Sequence, residues 1–107
     1  MAEIVISSVD HGSTVELRLG DTLVVRLPES PGTGFRWALG SDSPSVLEPN
    51  GDSYVPGSGG GIGGGGNRQF SFRAVGAGTR ELNLVKWREW EGESSIKDRF
   101  SVVAAVR

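Results

Sequence analysis

From Pro56 to Asn67 the chain reads P-G-S-G-G-G-I-G-G-G-G-N, a run that holds eight of its seventeen glycines. Such a run has almost nothing to bury, and ordering it loses more backbone entropy than any other composition would. It is therefore a loop, and the fold must be built from the segments on either side. Gly/Ser runs commonly serve as flexible linkers, and surface loops accept insertions cheaply. The alternative is a loop whose bare backbone enters a narrow cleft of another molecule, where any Cβ would clash. Which of the two applies depends on the other loops.

At 107 residues the chain suits one domain. Treating the glycine run as an interdomain linker would leave about fifty residues on each side, close to the lower limit for independent folding. One domain spanning residues 1–107 is expected. Cysteine is absent, so there is neither a disulfide framework nor a thiol nucleophile, and a reducing compartment is compatible. The opening M-A-E-I-V-I-S-S-V-D lacks a basic leader region, and no apolar run approaches membrane-spanning length. A soluble chain in the cytoplasm is expected. Eleven basic and thirteen acidic residues, spread along the chain for a net charge of -2, leave no footprint for nucleic acid or an anionic membrane.

Outside the glycine run the apolar residues alternate with period 2. Residues 3–8 form a first strand. Residues 14–19 place Val15, Leu17 and Leu19 on one face, and residues 22–28 place Leu23, Val25 and Leu27 inward until Pro28, which lacks an N–H, is expected to end the pairing. Phe35, Trp37 and Leu39 share a phase over 35–39. The stretch 40–51 is rich in turn formers, with a short strand at 52–55 leading into the glycine run. After it, Phe70, Phe72 and Ala74 share one side of a strand over 68–75, with Arg68, Ser71 and Arg73 assigned off it. Leu82 and Leu84 point inward over 81–87, and Ile96, Phe100, Val102, Ala104 and Val106 share a phase over 95–107. No segment carries a helical period. The pattern predicts an all-β fold, an immunoglobulin-like β-sandwich of seven to eight mostly antiparallel strands, with a closed barrel as the lesser alternative.

If successive strands run up and down, the connections near 11, 31, 61 and 90 share one end and those near 20, 45 and 77 share the other. The first set holds the long or unusual loops. That asymmetry suits a module that presents loops from one end of a rigid scaffold, and such an end needs no second copy of the chain, so a monomer is expected.

Enzymatic chemistry finds little footing. There is a single histidine, His11, read as an ordinary turn residue, and no zinc-ligand spacing, so no metal or cofactor is expected. Residues 59–64 formally fit a phosphate-binding glycine pattern, but a strand follows where a helix N-terminus would be needed. Glu89, Glu91 and Glu93 crowd one loop and read as solvated surface acids, with a β-sandwich hydrolase requiring another acid across a groove. Trp87 falls on the face opposite the leucines of its strand, and Trp90 lies beyond the strand in a charged loop. Each either caps the sandwich edge or, if exposed beside an arginine, belongs to a binding hot spot.

Three segments in this order resemble the chagasin family of cysteine-peptidase inhibitors. The family's first loop reads N-P-T-T-G followed by an aromatic and a tryptophan, and here stand Ser30, Pro31, Gly32, Thr33, Gly34, Phe35, Arg36 and Trp37. Its second is a glycine-rich loop entering a strand with an aromatic, matched by the run containing Gly59, Gly60, Gly61, Ile62, Gly63 and Gly64, with Phe70 beyond. Its third, R-P-W, is matched imperfectly by Arg88, Glu89 and Trp90. The departures are Ser30 for Asn, Gly32 for the first Thr, and Glu89 for Pro. Gly32 removes a hydroxyl and leaves Thr33 with the loop's remaining one; Glu89 is expected to loosen a loop that Pro would stiffen. The resemblance implies a non-enzymatic, reversible inhibitor whose three loops occlude the cleft of a papain-like cysteine peptidase. The alternative is an immunoglobulin-like adhesion or ligand-binding module in which the glycine loop is passive.

Overall fold

The computed structural model describes residues 2–30, 32, 34–41, 45–56 and 65–107. Among them are eight strands: β1 (Glu3–Ser7), β2 (Thr14–Leu17), β3 (Thr22–Glu29), β4 (Arg36–Ser41), β5 (Leu47–Pro56), β6 (Gly66–Ala74), β7 (Gly78–Trp87) and β8 (Asp98–Val106). They form two four-stranded sheets, ordered β1-β3-β6-β5 and β2-β8-β7-β4. Pairing is antiparallel except for β1 with β3 and β2 with β8.

The alternating residues build one core between the sheets. Leu23, Val25 and Leu27 of β3 face Leu84 of β7 and Phe100, Val102 and Ala104 of β8, all nearly inaccessible to solvent. Phe70 and Phe72 of β6 stack with ring centroids 6.4 Å apart, and Trp37 of β4 joins the same cluster. Burying a large apolar side chain contributes about 1.5–3 kcal/mol, so this cluster is what holds the sheets face to face.

Several strand limits differ from the sequence reading for identifiable reasons. β2 stops at Leu17, and Leu19 is exposed, because the Asp21 carboxylate accepts the backbone N–H groups of Arg18 and Ala2, both at 2.9 Å, and folds residues 18–21 into a turn. β3 continues through Pro28 to Glu29. β1 ends opposite Arg26, so Pro28 lies where β3 has a partner on one side only, the setting in which a missing N–H is tolerated. β5 is ten residues long rather than four, absorbing Pro49 and Gly51 (φ 96°) in a register shift against β6. As an edge strand it can accept proline and a bulge. β7 starts at Gly78 instead of residue 81. β4 starts at Arg36, leaving Phe35 half-buried just before it.

The strand directions put the ends of β1, β3, β5 and β7 and the starts of β2, β4, β6 and β8 at one end of the sandwich. At the other end the turns are tied to each other. Gly20 N–H donates to the Ala74 carbonyl at 2.8 Å, and Val75 N–H donates to the Val46 carbonyl at 2.9 Å.

Candidate functional site

The loop-bearing end is assembled from the strand ends inward. β3 delivers Ser30, and the chain returns through Gly34 and Phe35 into β4. Gly34 has φ 77°, a conformation that side chains resist, and a Cβ there would lie 2.9 Å from Cη2 of Trp90. The indole therefore rests on bare glycine backbone, and the first and third loops touch. Trp90 is nevertheless 72% exposed, which settles its place outside the core. Beside it the Arg88 guanidinium lies over the Phe35 ring at 4.5 Å, with the Lys97 ammonium 5.0 Å from the same ring. Such cation–π contacts contribute about 0.5–2 kcal/mol each and here fasten the third loop to the first.

The third loop is more ordered than a charged connection suggests. Glu89–Ser95 forms two short 3₁₀ pieces joined at Gly92, whose φ of 75° breaks the coil. Ser95 closes the loop on itself. Its Oγ accepts the Arg88 N–H at 3.0 Å, and its hydroxyl lies 2.7 Å from the Gly92 carbonyl. These bonds tie Ser95 to the two residues that bracket Glu89 to Glu91.

At the first limb, Ser30 abuts the stem of the glycine run, for a Cβ on Gly65 would lie 3.0 Å from the Ser30 Oγ. Gly66 is buried between the Val55 carbonyl and the Tyr54 ring and hydroxyl, with no room for a Cβ. The structure thus brings together Ser30, Gly34, Arg88 and Trp90 and the stem of the glycine run. Gly32 is exposed, with open space where a Cβ would be. Pro31, Thr33 and the stretch 57–64, including Gly59, Gly60, Gly61, Ile62, Gly63 and Gly64, lie outside the described residues.

Beneath these loops sits a charged cluster that the sequence reading missed. Arg68, assigned there to the outer face of its strand, is buried. Its Nε and Nη2 donate to Oε2 of the buried Glu29 at 3.0 and 2.9 Å, and its Nη1 donates to Asp52 at 3.1 Å. Burial works against the guanidinium charge, and the Glu29 and Asp52 carboxylates override it, so Arg68 holds its proton more firmly than a free arginine. Oε1 of Glu29 accepts the backbone N–H of Trp37 at 2.8 Å. The signal was phase: Glu29 continues Leu23, Val25 and Leu27, and Arg68 precedes Phe70 and Phe72, each at intervals of two.

The remaining candidates have ordinary roles. His11 packs its ring on Phe100, with centroids 5.9 Å apart, and accepts the Ser101 N–H at Nδ1. Glu89, Glu91 and Glu93 are all exposed. An open cleft of about 620 Å³ runs between β4 and β5 below Trp90, but the acid on its far wall, Asp52, is engaged by Arg68. No group of three metal-binding side chains occurs among the described residues.

Comparison with known proteins agrees with this geometry. The family model described as Chagasin family peptidase inhibitor I42 matches residues 16–104. Chagasin of Trypanosoma cruzi is 29% identical over 103 residues, covering 91% of this chain and 92% of that protein. The crystal structure of the cysteine protease inhibitor EhICP2 from Entamoeba histolytica shares the fold at a TM-score of 0.87 and 18% identity, covering 99% of this chain and 96% of that one. PbICP-C, solved in complex with falcipain-2, shares it at a TM-score of 0.69 and 15% identity, covering 98% and 89%. With the family model spanning β3 to β7 entire, half of β2 and most of β8, the chain belongs to the chagasin family of peptidase inhibitors and not to the enzymes.

Proposed function

We propose that this chain is a reversible inhibitor of papain-like cysteine peptidases that blocks the catalytic cleft by occupancy, with three loops acting as a wedge. The observation that carries the reading is the convergence of Ser30, Gly34, Arg88, Trp90 and the stem of the glycine run at one end, with the indole of Trp90 held out to solvent. PbICP-C, which has the same fold, is bound in its solved structure to falcipain-2.

Each loop has a physical part. The backbone of Gly59, Gly60, Gly61, Ile62, Gly63 and Gly64 can lie close to a nucleophile in a substrate groove while offering little to a specificity pocket. On this reading the loop that carries Pro31, Gly32 and Thr33 meets the peptidase on one side of the cleft, and Arg88 and Trp90 meet it on the other. A large indole buried against the shoulder of the cleft is the kind of anchor that dominates an interface. Ordering a loop costs up to about 1–2 kcal/mol per residue, so binding gains when the flanks are held beforehand. The Gly34–Trp90 and Ser30–Gly65 contacts do so in the free chain. Gly32 forgoes one hydroxyl, which at about 0.5–1.5 kcal/mol for one hydrogen bond weakens affinity by up to about tenfold.

The test is inhibition of papain and several related peptidases, followed with a fluorogenic peptide. Inhibition is expected below micromolar concentration, weakened about tenfold or more by Trp90→Ala and less by Thr33→Ala. No inhibition of any papain-like enzyme at micromolar protein would remove the reading.

A further inference from the structure

Glu29 and Arg68 form, among the described residues, the ion pair with both side chains largely buried, 1% and 11% exposed. Its position matters more than its burial. Glu29 is the last residue of β3, immediately before Ser30, while Trp37, whose N–H it accepts, lies on β4 where the chain leaves the same turn. Arg68 lies on β6 just past Gly66, and its second partner, Asp52, lies on β5, so this one guanidinium touches both strands that bear the glycine run. A single network thus joins β3 to β4 across the sandwich and β5 to β6 within a sheet, at the height where both loops depart.

Stability alone does not account for such an arrangement. Desolvating two charges offsets most of their attraction, and well-packed apolar residues generally hold a fold as well or better. What a charged fork supplies is direction, because a guanidinium meets carboxylates only along fixed lines in its plane. We propose that the Glu29–Arg68–Asp52 network is a positioning device that fixes the spacing between the turn beginning at Ser30 and the stem of the glycine run. On the inhibitor reading above, on which this rests, that spacing sets how well the two loops enter one cleft together. The Glu29 and Arg68 side chains stay beneath the surface and act without touching the peptidase, while that of Asp52 is 44% exposed on the side of the sandwich.

The chain has no cysteine, so two spin labels can be placed without background. One goes at Gly32→Cys, where a side chain meets open space, and one at Val55→Cys, which is 42% exposed at the foot of the glycine run. Inter-label distances are measured in this labelled chain and in the same chain carrying Glu29→Leu and Arg68→Met together. Papain inhibition and melting temperature are measured on the unlabelled pair. The expected result is a folded double variant whose melting temperature falls only modestly, because Glu29→Leu leaves the Trp37 N–H without its acceptor, together with a broadened or shifted distance distribution and inhibition at least about tenfold weaker. Should the double variant not fold, Arg68→Lys carries the same comparison, since it keeps the charge and loses the fork. A distribution unchanged in centre and width in a folded variant overturns the proposal, as does a changed distribution with unchanged inhibition. If the parent chain inhibits no papain-like enzyme, the inhibitor reading fails by itself, while the label distances still decide whether the network sets the spacing.

Discussion

Gly34 combines two demands that a larger residue cannot meet. Its φ of 77° is strained for any side chain, and its Cβ position is taken up by the Trp90 indole. Gly34→Ala should therefore lower stability by about 1–2 kcal/mol and weaken peptidase inhibition by displacing the indole. Gly32→Ala, in open space without positive φ, should leave chemical denaturation unchanged; equal effects of the two changes would contradict this reading of the contact. At the opposite end, Asp21 accepts the N–H groups of Arg18 and Ala2, which together hold its carboxyl below the usual carboxylate range. A folded-state pKa below the unfolded one means that the carboxylate stabilises the fold above about pH 5, and that the contribution disappears as pH falls through the lowered value. Asp21→Asn should accordingly melt below the parent at pH 7, and the gap should narrow in melting curves taken toward pH 3.

Among the elements, the β5–β6 pair separates scaffold from loop most cleanly. The ladder runs to Pro56 opposite Gly66, so the strands are registered before the intervening residues begin. Replacing residues 57–65 by a two-residue Asn-Gly turn should keep or raise the melting temperature, because a shorter loop loses less entropy on closure. Inhibition should be abolished; a shortened chain that still inhibits would make the glycine run a passive connection. The same pair marks what was legible in the sequence. The alternation of Phe70, Phe72 and Ala74 announced β6, and the parity of connections placed the loops at a common end, since both follow from the two-residue period of a strand. The first half of β5 was hidden because Pro49, Asn50 and Gly51 read as a turn, whereas an edge strand has a free side on which a bulge can absorb them. At Arg68 charge argues for exposure and phase for burial, and the carboxylate that decides for burial lies 39 residues away in the chain. The ordering of the Arg88–Trp90 bend depends on Ser95 and Phe35, distant partners that no local pattern reveals.

For the molecule as a whole, the two ends differ in kind. One gathers the wedge of loops, and the other is drawn tight by the bonds of Gly20 and Val75 and by Gly76, which is packed so closely on the Ser45 carbonyl that no Cβ fits. The core between them includes Leu84, entirely buried, so a change there acts on both ends at once. Leu84→Ala should cost about 3–5 kcal/mol in denaturant unfolding and reduce inhibition only as far as it depletes folded protein. Ala77, exposed on the tight end between β6 and β7, points to a practical consequence. In a thiol-free chain, Ala77→Cys gives a single anchoring handle, and molecules coupled through it to a sensor chip would stand as an oriented layer with the exposed indole of Trp90 on the far rim turned toward the flowing analyte.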